Sequence, residues 1–359
     1  MKKNKVLSLF LALIMVFACA FCGIGEAAQV GDVAKNNAFS VKQDQIGSTI
    51  KEGSAYKPSS IKSGNYMYYA VYNTIYKVNV KTRESTVVYK SKSGYWFSDL
   101  NVKDGWIYCV MDKFMVEGAR YTYIFRVRTN GKSATILKKG IKPVVYNGNI
   151  YYIKYNFKEN DNYDDPVNLG LYRMSLSGKN DKCIKKSNEI EEFTVYKSKV
   201  YYKISNNYGY YLYNVSTSGG KSKVMIYNSQ DFIGNINAYS DYIYFHSDDG
   251  IYKIKTNSTK KIKVISKAWL AGVSEGYVYY GVSGDDYDRL YKMKISNKAK
   301  TFIKKHAYPG IGDVTVEGGY IIMTLNYELS YENQTCTNAK YFCNTNGKNG
   351  KILKRYYQS

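Results

Sequence analysis

Acidic side chains cluster at three places where the surrounding pattern predicts loops. They are Glu159, Asp161, Asp164 and Asp165; then Asp248 and Asp249; then Asp285, Asp286 and Asp288. Ca²⁺ takes about six to eight oxygen ligands, so each cluster is a candidate calcium site. None of them, however, has the Asp-x-Asp-x-Asp-Gly loop with a distal Glu, and Asp also favours tight turns through local hydrogen bonds. We therefore expect turn chemistry here, and no metal site and no cofactor.

Catalytic chemistry has little support in the residues. The chain has two histidines, His246 and His306, and neither stands in a recognisable nucleophile context such as a Gly-x-Ser-x-Gly elbow. Two carboxylates from distant parts of the chain could still act as acid and base on a glycosidic bond. We expect no enzyme, with a carbohydrate-active hydrolase or lyase as the alternative that the sequence leaves open.

Exposed aromatic rings would suit stacking on sugars or flat apolar groups. The candidates are Trp96, Trp269 and Tyr308, each in a predicted junction between repeats. The alternative is that these rings wedge between neighbouring structural units and are buried, as large aromatic side chains usually are.

Basic residues dominate the charge, and the formal net charge is +23. Many stand in predicted turns: Lys132, Lys179, Lys221, Lys223, Lys260, Lys261, Lys298 and Lys300. Such a surface suits anionic partners, of which an anionic polysaccharide, a wall polymer or another envelope protein is the most plausible. Lys, Asn, Tyr and Ile also share A/T-rich codons, so nucleotide composition explains the charge equally well. No nucleic-acid motif is present.

These residues are positioned by an internal repeat. A first column of four residues recurs, with an aliphatic second position, a third position that is aromatic in six of seven copies, and a large apolar fourth position. Its copies start at residues 66, 106, 149, 199, 242, 277 and 320, which are 35 to 50 residues apart. Turn dipeptides such as Asp104-Gly105 and Asn147-Gly148 precede it, as tight hairpins require.

A second column follows each first column, with an aromatic, then usually a basic residue, then an apolar one. It starts at residues 76, 125, 172, 213, 252, 291 and 341, and the last copy, Tyr341-Phe342-Cys343, lacks the basic centre. A polar turn and a short strand such as Lys263-Val264-Ile265 complete the unit. Alternation with period two indicates strands with a buried face.

The spacing predicts an all-β fold, a β-propeller of about seven four-stranded blades, with six blades not excluded. With strands A to D in each blade, the first column lies on B and the second on C. The B–C and D–A loops then emerge on one face of the ring, and the A–B and C–D turns on the other. All eight lysines above are predicted in C–D turns and therefore on the second face.

The stretch Leu171–Asn180, LYRMSLSGKN, resembles the repeat unit of the DUF5050 family. This resemblance covers about residues 60 to 356. It implies an exported bacterial propeller similar to the low-density-lipoprotein-receptor type. The Tyr-Trp-Thr-Asp signature of the receptor propellers is absent, so receptor ligands are not implied, and the family implies no activity.

The N-terminus reads as an export signal. Lys2, Lys3 and Lys5 precede an apolar run from Val6 to Ala18, too short to span a membrane comfortably. We predict a signal peptide at 1–28, a polar linker at 29–60 with one possible strand near Phe39, and the propeller at 61–359. The chain is then secreted or bound to the cell envelope, and lipidation at Cys19 or Cys22 stays open.

Two cysteines near the C-terminus, Cys336 and Cys343, allow two interpretations. Cys343 occupies the apolar position of the second column, which predicts a buried free thiol. An exported location also permits a Cys336–Cys343 disulfide. Taken together, the residues indicate a secreted, non-catalytic binding or scaffold protein whose ligand they do not identify.

Overall fold

The computed structural model describes residues 60–92, 94–114, 120–156, 167–228, 231–308, 310–330 and 335–358. The predicted signal peptide and linker, the possible strand near Phe39, and the acidic cluster from Glu159 to Asp165 lie outside these ranges. The regular secondary structure within these ranges consists of 27 β-strands.

Consecutive antiparallel strands form blades in chain order. Blades 1 to 3 are β1 Ser60–Ser63, β2 Tyr66–Val71, β3 Thr74–Asn79, β4 Ser85–Lys90, β5 Tyr95–Lys103, β6 Trp106–Phe114, β7 Arg120–Arg128, β8 Thr135–Tyr146, β9 Asn149–Asn156, β10 Val167–Ser175 and β11 Lys182–Lys185. Blades 4 and 5 are β12 Ile190–Tyr196, β13 Lys199–Asn206, β14 Gly209–Ser216, β15 Lys223–Asn228, β16 Gly234–Tyr239, β17 Tyr242–Ser247, β18 Gly250–Lys255 and β19 Lys261–Ser266. Blades 6 and 7 are β20 Trp269–Ser274, β21 Tyr277–Ser283, β22 Tyr287–Lys294, β23 Lys300–Ala307, β24 Gly310–Glu317, β25 Tyr320–Ser330, β26 Thr335–Asn344 and β27 Lys351–Gln358.

Strand β8 serves two blades, which differs from the separate short strand that the sequence predicts. Its first half pairs with β7 as the last strand of blade 2, and its second half pairs with β9 as the first strand of blade 3. The strand continues through Gly140 and Pro143 at this junction without a loop. Gly140 lets the backbone pass close to Tyr152, because a Cβ at this position would overlap the Tyr152 ring. Blades 2 and 3 thus form one seven-stranded sheet.

The two sequence columns are the centre of every blade, as predicted. Strands β2, β6, β9, β13, β17, β21 and β25 each begin at the first residue of the first column. The third position of that column lies opposite the centre of the second column, as in the pairs Tyr68 with Lys77 and Tyr201 with Asn214. The aromatic side chains of this position are at most 2% exposed.

Seven apolar clusters join successive blades and close the ring. Each contains buried residues of two consecutive blades, and the last joins blade 7 to blade 1 through Ile322, Phe342 and Met67. The first strands of the blades contact one another in order, and β1 contacts β24. Seven blades therefore form a closed propeller.

Hydrogen bonds between turns define one face of the ring. In six blades the backbone N–H two residues beyond the second column donates to a carbonyl of the A–B turn in the same blade. The pairs include Val80 to Asn65, Thr129 to Gly105 and Thr345 to Gly319, at 2.9 to 3.0 Å. The A–B and C–D turns thus lie side by side, and we call their surface the AB/CD face and the opposite one the BC/DA face.

Candidate functional site

The two faces differ in charge among the described turn residues. Nine basic residues stand in the turns of the AB/CD face, namely Lys81, Arg83, Lys132, Lys179, Lys197, Lys221, Lys260, Lys298 and Lys348, against five acidic ones. The described turns of the BC/DA face have three basic residues, Lys92, Lys186 and Lys267, against six acidic ones. Because the repeat places equivalent turns on the same side of every blade, the excess of basic over acidic turn residues adds up over the blades on the AB/CD face.

All eight lysines predicted for the basic face are exposed. Five of them lie in the C–D turns, and Lys223, Lys261 and Lys300 begin the outermost strands β15, β19 and β23. The Lys261 ammonium is directed away from this face, because its Nζ lies 4.0 Å from Asp231 Oδ2 in a D–A turn. The other seven lysines form a rim around the outside of the AB/CD face.

Acidic residues in the A–B turns give this face an inner zone that the sequence prediction did not count. Asp104, Asp241 and Glu275 lie at the ends of the innermost strands. Two of them pair with lysines: Asp104 with Lys103 at 2.9 Å and Asp241 with Lys197 at 2.5 Å. Lys197 holds the pKa of Asp241 below its usual value through this hydrogen bond. The face is thus a basic rim around a smaller, partly neutralised acidic centre.

The basic centre of the second column has a role that the sequence prediction missed. In blades 1, 2, 5 and 6 this basic side chain lies over the ring of the aromatic residue that begins the first column. The sequence pattern assigned no residue type to that first position. The cation-to-ring distances are 5.2 Å for Lys77 and Tyr66, 4.3 Å for Arg126 and Trp106, 4.4 Å for Lys253 and Tyr242, and 4.8 Å for Lys292 and Tyr277. Cation–π attraction favours this arrangement. The co-occurrence of the two residue types in the same repeats was the available signal.

The three candidate aromatic rings lie at different blade junctions. Trp96 is 37% exposed, and its ring is 5.4 Å from that of Tyr72. Tyr308 is 64% exposed between blades 6 and 7. Trp269 is partly buried against the cluster that joins blades 6 and 7, and a Cβ at Gly281 would overlap its indole. Trp96 and Tyr308 are therefore exposed to solvent in part, whereas Trp269 packs between blades.

Acidic residues of the other predicted loops accept hydrogen bonds both within a blade and between neighbouring blades. Asp249 accepts from the Tyr252 hydroxyl at 2.9 Å, and Asp288 accepts from the Ile311 N–H at 2.8 Å. Among the described residues, no group of three or more His, Cys, Asp or Glu side chains is close enough to share a metal ion. Burial lowers the pKa of both His246 and His306.

One pocket on the BC/DA side brings two carboxylates together. It lies between blades 2 and 3, has a volume of about 260 Å³, and is lined by Ser98, Asp99, Asp112, Thr122, Lys142 and Tyr155 among others. Asp112 is 6% exposed and accepts a 2.7 Å hydrogen bond from the Thr122 hydroxyl. Asp99 has a left-handed backbone, with φ of 52°.

Comparisons with known proteins support the fold and go no further. No family model matches the chain, and no curated protein matches its sequence. A puromycin-hydrolysing peptidase of Mycobacterium tuberculosis superposes with a TM-score of 0.60 at 8% identity, over 92% of this chain and 57% of that one. A structure from a study of two prolyl endopeptidases gives 0.59 at 10% identity, over 87% and 51%. TolB from Acinetobacter baumannii gives 0.46 at 11% identity, over 83% and 81%.

The chain is a β-propeller. It spans about half the length of the two peptidases that it matches, and identities this low show the fold alone. Membership of DUF5050 is not shown. In the part of the chain that the structure describes, no helix is long and apolar enough to cross a membrane.

Proposed function

We propose that this protein is an exported, non-catalytic binding propeller that docks its AB/CD face on an anionic polymer of the cell envelope or the extracellular space. The unequal charge of the two faces carries the proposal. Codon bias raises the number of lysines along the whole chain, but it gives no reason for them to collect on one face. The resemblance of the repeat unit to DUF5050 agrees with an exported propeller.

The geometry favours a long ligand rather than a compact one. The basic turns follow one another around the rim, so a polymer lying along it would meet one or more cations per blade. Each exposed contact is weak, but several contacts on one chain add through their effective concentration. Binding of this kind depends strongly on salt, because the Debye length falls from about 10 Å at 0.1 M to about 3 Å at 1 M.

Charge reversal tests the proposal. The variant with Lys221, Lys223, Lys260 and Lys261 replaced by Glu should lose binding to a purified anionic wall polymer or acidic polysaccharide, with unchanged circular dichroism. A matched control reverses four exposed lysines near the BC/DA face, Lys90, Lys186, Lys267 and Lys305. It has the same net charge and should retain most of the binding. Equal losses in the two variants would contradict docking through the AB/CD face.

A carbohydrate-active hydrolase or lyase is the second candidate, because Asp99 and Asp112 line one pocket. Glycoside hydrolysis needs two carboxyl groups about 5 to 10 Å apart. If this pocket is catalytic, the protein should release new reducing ends from acidic polysaccharides, and Asp112→Asn should abolish the release. Binding without any cleavage would support the non-catalytic proposal.

A further inference from the structure

A second pocket lies on the AB/CD face at the seam where blade 7 meets blade 1. Its volume is about 500 Å³. Its walls come from the C–D turn of blade 1 and from the A–B and C–D turns of blade 7. The polar and aromatic lining residues are Lys81, Arg83, Tyr320, Asn344, Asn346 and Asn349. We call this space the seam pocket.

The seam is where the repeat departs from its own pattern. The centre of the second column is Phe342 in blade 7 instead of a basic residue, and it stacks on Tyr320 with the ring centroids 5.5 Å apart. In four of the five blades with a cation at this position, that cation lies over the aromatic ring; in the fifth, blade 3, the first column begins with Asn149. Ile322 also replaces the tyrosine that the other six blades have at the third position of the first column. The seam pocket opens beside these exceptions, with partly buried Tyr320 in its wall.

The two cations of the seam pocket are available for a ligand. Neither Lys81 nor Arg83 has an ion-pair partner among the described residues, and both side chains are exposed. Arg83 has a φ of 61°, a left-handed conformation that costs a long side chain more than Gly or Asn.

Hydrogen bonds hold the walls of the seam pocket in place. Asn79 Oδ1 accepts from the Lys81 N–H, and Asn344 Oδ1 accepts from the N–H groups of Asn346 and Lys348, all within 2.9 to 3.0 Å. Across the seam, Lys351 Nζ donates to the Arg83 carbonyl at 3.2 Å. A site ordered before binding loses less conformational entropy when the ligand enters.

We infer that the seam pocket binds one anionic sugar unit of the polymer, with its carboxylate or phosphate on Arg83 and Lys81 and its ring beside Tyr320. Guanidinium groups pair with such oxyanions through two parallel hydrogen bonds. Amide side chains such as that of Asn346, whose Oδ1 accepts from Lys292 Nζ at 2.7 Å, suit sugar hydroxyls. This inference rests on the proposed function and adds a specific subsite to a diffusely charged face.

A matched pair of turn variants tests the inference. Arg83→Asn removes the charge and keeps the turn, since Asn accepts a left-handed backbone. Lys298→Asn makes the same change at the equivalent position of the blade 6 turn, where φ is 63°, outside the pocket. In both turns this residue donates its N–H four residues back, from Arg83 to Asn79 and from Lys298 to Lys294. Tyr320→Leu removes the ring, and its folding is checked by thermal unfolding.

The probes are tetramers of galacturonic acid and of phosphodiester-linked glucose, with maltotetraose as the neutral probe, and the method is titration calorimetry. We expect one anionic tetramer to bind and Arg83→Asn to weaken it about tenfold or more, as loss of a charge-assisted hydrogen bond does. Lys298→Asn removes one exposed cation of the rim outside the pocket and should weaken binding by a clearly smaller factor. The tetramer that binds more tightly identifies carboxylate or phosphate as the anionic group.

Equal effects of the two Asn variants, or equal binding of maltotetraose, would overturn the inference. Binding of the polymer but of neither anionic tetramer would also overturn it, while leaving the proposed docking face intact. If neither the polymer nor the tetramers bind, both the inference and the proposed function are wrong.

Discussion

Truncation of Tyr201 should reveal how strongly the first column holds neighbouring blades together. The side chain is 2% exposed and packs in the cluster that joins blades 4 and 5. Burial raises the pKa of Tyr201 to about 12, although a hydrogen bond between its hydroxyl and Thr256 of the next blade opposes the shift. We expect Tyr201→Ala to lower the free energy of unfolding by about 3 to 5 kcal/mol, as loss of a buried ring does. Tyr151→Ala should cost a similar amount, since Tyr151 is also 2% exposed.

The hydroxyl and the ring can be separated by a conservative variant. Tyr201→Phe should cost about 1 to 2 kcal/mol, because it removes the hydrogen bond and leaves Thr256 without this partner. Tyr244→Phe is the matched control. Ile295 stands at the position of Thr256 in the blade after Tyr244, so this variant should cost less.

Urea unfolding followed by circular dichroism measures these differences through the transition midpoint at constant slope. Should Tyr201→Ala or Tyr151→Ala unfold at the wild-type midpoint, the column would be exposed and the strand phase wrong by one residue. Equal costs for Tyr201→Phe and Tyr244→Phe would contradict the bond between blades.

Three further outcomes are expected. Iodoacetamide should label exposed Cys183 in the native protein and reach Cys343 only on unfolding, because Cys343 is 0% exposed and burial raises its pKa to about 12. Peptide mapping by mass spectrometry measures the labelling, and modification of Cys343 in the native protein would contradict its burial. Burial lowers the pKa of Lys77 from 10.5 to about 8, so between pH 8 and 10.5 the native state binds fewer protons than the unfolded state. The free energy of unfolding, relative to that of Lys77→Met, should therefore rise over this pH range by at most about 3 kcal/mol. A difference between the two proteins that does not change with pH would refute this. Gly281→Ala should lower the melting temperature because the added methyl group overpacks against Trp269, at a cost of about 1 to 3 kcal/mol in stability. Adding Trp269→Phe should restore part of the lost stability. An unchanged melting temperature in Gly281→Ala would show that the indole moves away freely.

The geometry of one strand decides between the two interpretations of Cys336 and Cys343. Cys336 and Cys343 lie in the single strand β26. Seven residues of extended chain separate their Cα atoms by about 23 Å at a rise of about 3.3 Å per residue. A disulfide requires at most about 7 Å between Cα atoms. A bond between these two cysteines is therefore excluded, and the free, buried Cys343 agrees with the prediction from the second column.

Sequence alone determined the content of each blade. The strands that hold the two columns pair as hairpins within a few residues of one another, and period-two alternation decides which side chains are buried, so the pattern in one repeat is sufficient. It also placed five of the eight lysines correctly in turns of one kind, which the repeat directs to one face; the other three begin the strands that follow those turns. The continuity of β8 was missed because a strand that changes partners leaves no mark on the alternation.

Only the tertiary structure decided what one blade offers to the next. Arg126 Nη1 donates to the Leu176 carbonyl of the following blade at 2.9 Å, and the seam pocket joins Arg83 to Asn346 from opposite ends of the chain. Every repeat has nearly the same pattern, so the pattern does not specify which repeats become neighbours when the ring closes. The number of blades decides which repeats become neighbours, because the rotations from each blade to the next must sum to a full circle before the first and last blades can meet.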